Sequence, residues 1–204
     1  MIDRGRNAAA GVPAGEPTGE VTALLHRLRE GDRSALDGVV SALYAELRQI
    51  ARQRLRGEWG TRLLMTTELV HEAYLRLLGQ RRLAVEDRAE FFAVAANTMR
   101  RILVDSARTA QRKKRGGGVA DVPLDEVAWF ASDREAEEML LLDQALERLG
   151  EIHPRGAQVV AHRYFAGLDL EESAALLGVS TKTVRRDWTA ARAWLRKELL
   201  REST

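Results

Sequence analysis

From Val21 onward the apolar residues recur three and four apart. Val21, Leu24, Leu25 and Leu28 mark one face of a helix, and Gly31-Asp32 supplies a stop followed by a new cap. Leu36, Val39, Val40, Leu43, Leu47 and Ile50 keep the same period, which predicts one longer helix ending near Gly57 to Gly60. Thr66 or Thr67 is placed to cap a third helix with Leu69, Ala73 and Leu77 turned inward, leaving Glu68, His71, Glu72, Leu75 and Arg76 largely on other faces. A fourth helix starts near Ala89, carries Phe91, Phe92, Ala95, Met99, Ile102 and Leu103, and stops at Gly116-Gly117-Gly118. Four helices suffice for one small bundle.

Residues 119–132 contain a proline and little helical period, which makes them a linker. Met139, Leu142, Leu146 and Leu149 then restore the helical spacing, His153-Pro154 breaks it, and a further helix is predicted over 158–165. No alternating strand pattern and no internal repeat occurs. The expected fold is all-α: two small helical domains, residues 20–116 and 135–204, joined by a flexible acidic linker over 117–134. Residues 1–19, rich in Ala, Gly and Pro, read as a disordered tail.

Charge sharpens this division. The formal net charge of +2 conceals blocks of opposite sign. Arg100, Arg101, Arg108, Arg112, Lys113, Lys114 and Arg115 face the single acid Asp105 between Asn97 and Gly118. Acids then dominate from Asp121 to Glu151, and the chain is basic again from Lys182 to Arg201. Two basic segments point to two contacts with a polyanion, and the acidic tract tethered between them competes for both at high effective concentration.

The most specific constellation runs from Leu168 to Arg186. Asp169 and Glu172 form a capping box at the start of one helix, Gly178 can close that helix in the left-handed conformation, and Val179 plugs the turn. Ala174 permits close helix approach and Ser180 caps the next helix. There Lys182, Arg185, Arg186 and Thr189 share a cationic face, opposite Val184, Trp188, Ala191 and Leu195. An apolar stripe backing an Arg/Lys/Thr stripe is what a DNA-recognition helix needs to pack on its domain while reaching base edges and phosphates. The bland alternative is a helical hairpin with a solvated charged face.

This motif, preceded by Ala145-Leu146-Glu147-Arg148-Leu149 and His162-Arg163-Tyr164-Phe165-Ala166-Gly167-Leu168, resembles region four of sigma-70 family factors. Glu68-Leu69-Val70-His71-Glu72-Ala73-Tyr74-Leu75-Arg76-Leu77 resembles region two's polymerase-binding helix, and the stretch Phe91 to Asp105 resembles its promoter-melting segment. The resemblance is closest to the extracytoplasmic-function class, which keeps regions two and four joined by a linker. Where many members carry Asp and Gln, this chain has Glu68 and His71.

The resemblance implies an initiation subunit without catalytic activity, whose partners are core RNA polymerase and promoter DNA. Glu68, His71, Glu72, Leu75 and Arg76 would meet the clamp helices of the largest subunit. Region four would sit on the flap of the second-largest and read the minus-thirty-five element with Ser180, Thr181, Lys182, Thr183, Arg185, Arg186, Thr189 and Arg192. Asn97 matches the position that receives a flipped base of the minus-ten element, with Arg100, Arg101, Arg108 and Arg112 along the strand; an amide can bond a base edge and arginines can hold phosphates. The alternative for Asn97 is a helix cap or surface residue. An anti-sigma factor is a further candidate partner. The runner-up is a helix-turn-helix regulator that never joins the polymerase.

Other chemistry finds little support. The chain has no cysteine, and His26, His71, His153 and His162 lack metal-ligand spacing, so no cofactor or metal is expected. The glycine run at Gly116 lacks the Lys-Ser/Thr of a phosphate loop. Phe91 and Phe92 could stack on unpaired bases, but they lie on the apolar face and are expected in the core, and Trp188 and Trp194 are read as packing residues. No membrane span or signal peptide is legible, which places the protein in the cytoplasm.

Overall fold

A computed structural model describes residues 18–54, 63–80, 83, 85–115, 130 and 132–202. Among these there is no strand. Most of the expected tail, the end of the second predicted helix, the glycine run and most of the linker, Trp129 included, lie outside the described residues.

The first five helices are α1 (Thr18–Arg29), α2 (Ala35–Ala42), α3 (Tyr44–Arg54), α4 (Leu63–Gly79) and α5 (Arg88–Arg115). α1 begins inside the stretch expected to be a tail. It buries Val21, Leu25 and Leu28 and ends at Gly31, whose φ of 98° is open to glycine at no steric cost. Asp32 then accepts from the Ser34 amide at 3.1 Å and pairs with Arg27 at 2.7 Å. The predicted second helix is two: Leu43 leaves helical geometry at φ −103°, ψ 13° while staying buried, so the apolar stripe runs unbroken across the bend.

α4 starts at Leu63, earlier than a Thr66 or Thr67 cap would allow, and Thr66 is buried within it. Leu69, Ala73 and Leu77 face the core as expected. The far end of α4 is closed from outside, where the Arg33 guanidinium donates to the carbonyls of Leu77 (3.2 Å), Leu78 and Gln80. A cation there satisfies orphan acceptors and complements the helix dipole. α5 opens on Asp87, whose carboxylate accepts from the Glu90 amide at 2.8 Å, and Phe91 and Phe92 are both buried in the core.

The second group comprises α6 (Asp133–Ile152), α7 (Pro154–Val160), a π-helical turn (Ala161–Phe165), α8 (Leu170–Leu177) and α9 (Thr181–Glu202). Ser132 caps α6, accepting from Glu135 at 3.3 Å. The break at His153-Pro154 is also the next start, because the imidazole Nδ1 accepts from the Gly156 amide at 2.7 Å and Pro154 takes the first helical position. α7 therefore begins earlier than 158. α6 packs against α5, α7 and α9, and its buried Ala136, Met139, Leu140, Ala145, Leu146 and Leu149 join the same apolar core as α1 to α5. Phe130 docks on that core from the linker.

Candidate nucleic-acid interface

The turn between α8 and α9 is built from local bonds. Asp169 Oδ1 accepts from the Glu172 amide at 2.7 Å and Glu172 Oε2 accepts from the Asp169 amide at 2.8 Å, completing the expected box. Gly178 closes α8 at φ 62°, ψ 34°, and the Val179 amide reaches back to the Ala174 carbonyl at 3.1 Å. Val179 packs on a small separate core of Val159, Ala174 and Val184. Ser180 Oγ accepts from the Thr183 amide at 3.2 Å and lies 2.9 Å from the Thr183 hydroxyl.

This turn fixes which face of α9 looks outward. Val184, Ala191 and Leu195 are buried, with Trp188 half-buried between the guanidiniums of Arg163 and Arg192 at 5.5 and 5.4 Å from its ring. Lys182, Arg185, Arg186, Thr189 and Arg192 are exposed, and Thr181 is half-buried. The Thr189 hydroxyl donates to the Arg185 carbonyl at 2.9 Å.

Asp187 escaped the sequence reading. It is buried to 2% exposure in α9, with Arg155 of α7 at 2.5 Å, Arg186 at 3.5 Å and His153 at 3.9 Å. Burial pushes its carboxyl up, but the Arg155 hydrogen bond and charge, with help from His153 and Arg186, outweigh this and hold it below the ordinary range. The clue available in sequence was an acid within a run of arginines. His162, half-buried within the π turn, is held below its usual value by burial.

On α4, Glu68 and His71 are exposed and Leu75 is 46% exposed, which makes an apolar point on a charged ridge. Glu72 and Arg76 are half-buried and tied together at 3.1 Å, and Arg76 crosses to Asp105 of α5 at 2.8 Å. The five candidates thus divide into an outer three and an inner pair that links two helices.

On α5, Asn97, Arg101, Arg108 and Arg112 are exposed, while Arg100 is half-buried. Arg112 donates to the Thr109 hydroxyl at 3.2 Å. Asn97 lies within α5, far from either end, so it is no cap. Asp143 of α6 is the second residue the sequence reading missed; it contacts Arg100 at 2.9 Å and Arg108 at 3.5 Å. Burial raises its carboxyl above the ordinary value despite the pull of both guanidiniums. It sits where α6 would otherwise carry an apolar residue, between Met139 and Leu146. That misplaced charge was the signal.

No group of three or more His, Cys, Asp or Glu side chains able to hold a metal occurs among the described residues, and no helix there is long and apolar enough to cross a membrane. Compared with known families, residues 18–201 match the family model described as ECF sigma factor. No curated protein matches the chain.

Proposed function

The chain belongs to the ECF sigma factor family and acts in transcription initiation, and from that premise we propose that it joins core RNA polymerase through α4, reads the minus-thirty-five element with α9 and opens the minus-ten element with α5. In this reading residues 20–116 form the polymerase-binding and melting unit and residues 135–204 the helix-turn-helix unit, and the protein works in the cytoplasm beside its polymerase. Its contribution is binding, with no catalysed step of its own.

The observation that carries the reading is the geometry of α9. Its apolar side is anchored by Val184, Ala191 and Leu195, while Lys182, Arg185, Arg186, Thr189 and Arg192 stand exposed together on the other side. Arginine there can grip guanine edges in the major groove and phosphates beside it. Leu75, exposed between acidic and histidine neighbours on α4, supports a separate protein contact, because an apolar residue on such a ridge gains by being covered. Asn97 offers the side-chain amide that would bond an unpaired base.

Capture by core polymerase tests the proposal directly. A tagged full chain mixed with core enzyme should co-elute and direct initiation from selected promoters. Duplex binding without polymerase capture would point instead to a regulator that acts alone.

A further inference from the structure

The outward face of α9 is open, whereas the candidate melting face of α5 is engaged by α6 at Arg100 and Arg108. α6 lies along α5, and the two share one apolar core. Asp143, 4% exposed, sets its carboxylate 2.9 Å from Arg100 and 3.5 Å from Arg108. The Phe165 ring of the π turn lies beneath the Arg100 guanidinium at 5.8 Å. Asn97 and Arg100 line an open cavity of about 120 Å³ together with Leu146, Glu147 and Phe165. Two of the five minus-ten candidates are thus bound to a carboxylate of the same chain, and a third faces its other domain.

A carboxylate held between guanidiniums presents the anionic oxygens that a backbone phosphate would present. Carboxylate and phosphate cannot share the site. We propose that α6 is an internal clasp that stands in for single-stranded DNA on α5, so that the free protein is held closed and its strand-binding face is released only when α6 moves away. The proposal rests on the reading of α5 as the minus-ten surface. It is narrower than charge order alone implied, because among the described residues the tract's Asp143 meets a basic helix face at α5, while Lys182, Arg185 and Arg186 of α9 stand exposed. A closed form that dominates the population lowers apparent affinity by the fraction of molecules open.

The chain has no cysteine, so Ser41→Cys and Gln158→Cys, both at exposed positions on opposite sides of the contact, accept a dye pair cleanly. Energy transfer in the labelled full chain is followed while a mixed-sequence single-stranded 20-mer is added. The same oligonucleotide's affinity is measured for the parent, Asp143→Asn and Glu151→Gln, the last removing one exposed carboxylate from α6 away from the contact. The clasp predicts that DNA lowers transfer, that Asp143→Asn binds about tenfold more tightly, and that Glu151→Gln stays within about twofold. Transfer unchanged at saturating DNA overturns it, as does an Asp143→Asn affinity equal to that of the parent or of Glu151→Gln. Should Asp143→Asn fail to fold, the parent's transfer decides alone. Polymerase capture of the parent is scored separately, so a chain that opens on DNA but ignores polymerase keeps the clasp and loses the sigma-factor reading.

Discussion

Asp187 shows how one buried acid can govern a basic surface. It lies under the arginines of α9, and its bond to Arg155 ties that helix to α7. Because its carboxyl is held below the ordinary value of 3.8, its stabilisation is fully present above that pH and is lost as the pH falls through the lowered value. Asp187→Asn should therefore cost about 1–3 kcal/mol at neutral pH and flatten the acid limb of stability below roughly pH 4. Thermal melts by circular dichroism from pH 7 to pH 2 measure both effects. His162 acts in another window. Its proton affinity is lowered from 6.5 by burial, so the unfolded chain takes up the proton first and stability declines as the pH drops below that value. His162→Leu should remove this slope, and an unaltered slope would assign it to another group. Neither role was legible beforehand, since the sequence names the acid and the histidine but not what covers them.

The helix-turn-helix was legible almost bond by bond because its determinants are local. Cap, box, left-handed glycine and plug all lie between Asp169 and Ser180, and each acts on its neighbours. Gly178→Ala should cost about 1 kcal/mol through its positive φ, visible as a lower melting temperature. Elsewhere local signals misled. Thr66 reads as a cap yet is buried inside α4, since a threonine can satisfy its hydroxyl within a helix. Leu43 gives no sign of the bend, because it is one more apolar residue in an unbroken stripe and stays buried across it. His153-Pro154 read only as an end because a histidine cap is uncommon. On α4, Leu75→Glu should leave the fold intact, since the residue is 46% exposed, and weaken capture of core polymerase. A folded variant captured as well as the parent would move the contact to another helix. On α9, Arg185→Ala or Arg186→Ala should cost on the order of 1 to 3 kcal/mol and relax sequence preference, whereas Lys182→Ala or Arg192→Ala should weaken all duplexes alike. Paired titrations with promoter and scrambled duplexes separate the two patterns.

What joins the two halves lies beyond any local signal, because α5 and α6 are separated in sequence by the linker. Charge order indicated that an acidic tract could reach basic helices, but not that Asp143 would do so from within an apolar contact. Burial changes the expected salt response. Exposed pairs are screened over about 8 to 10 Å at moderate ionic strength, whereas a buried carboxylate and its apolar surround are screened far less. Small-angle scattering of the free protein should therefore give the same dimensions from about 0.05 to 0.5 M salt. Expansion over that range would mean that surface charges hold the halves together. The π turn at Ala161–Phe165 adds a constraint of another kind. Such a turn accommodates one more residue than a regular α-helix would, and it is bonded here from the Ala166 amide to the Ala161 carbonyl at 3.0 Å. Deleting a single residue from it would let the segment relax into ordinary helix, and because the turn absorbs the extra residue locally, the segments on either side would keep nearly their present phase. The extra residue is thus contained within one turn, so an insertion or deletion of one codon there can be accommodated without changing the register in which the two halves meet.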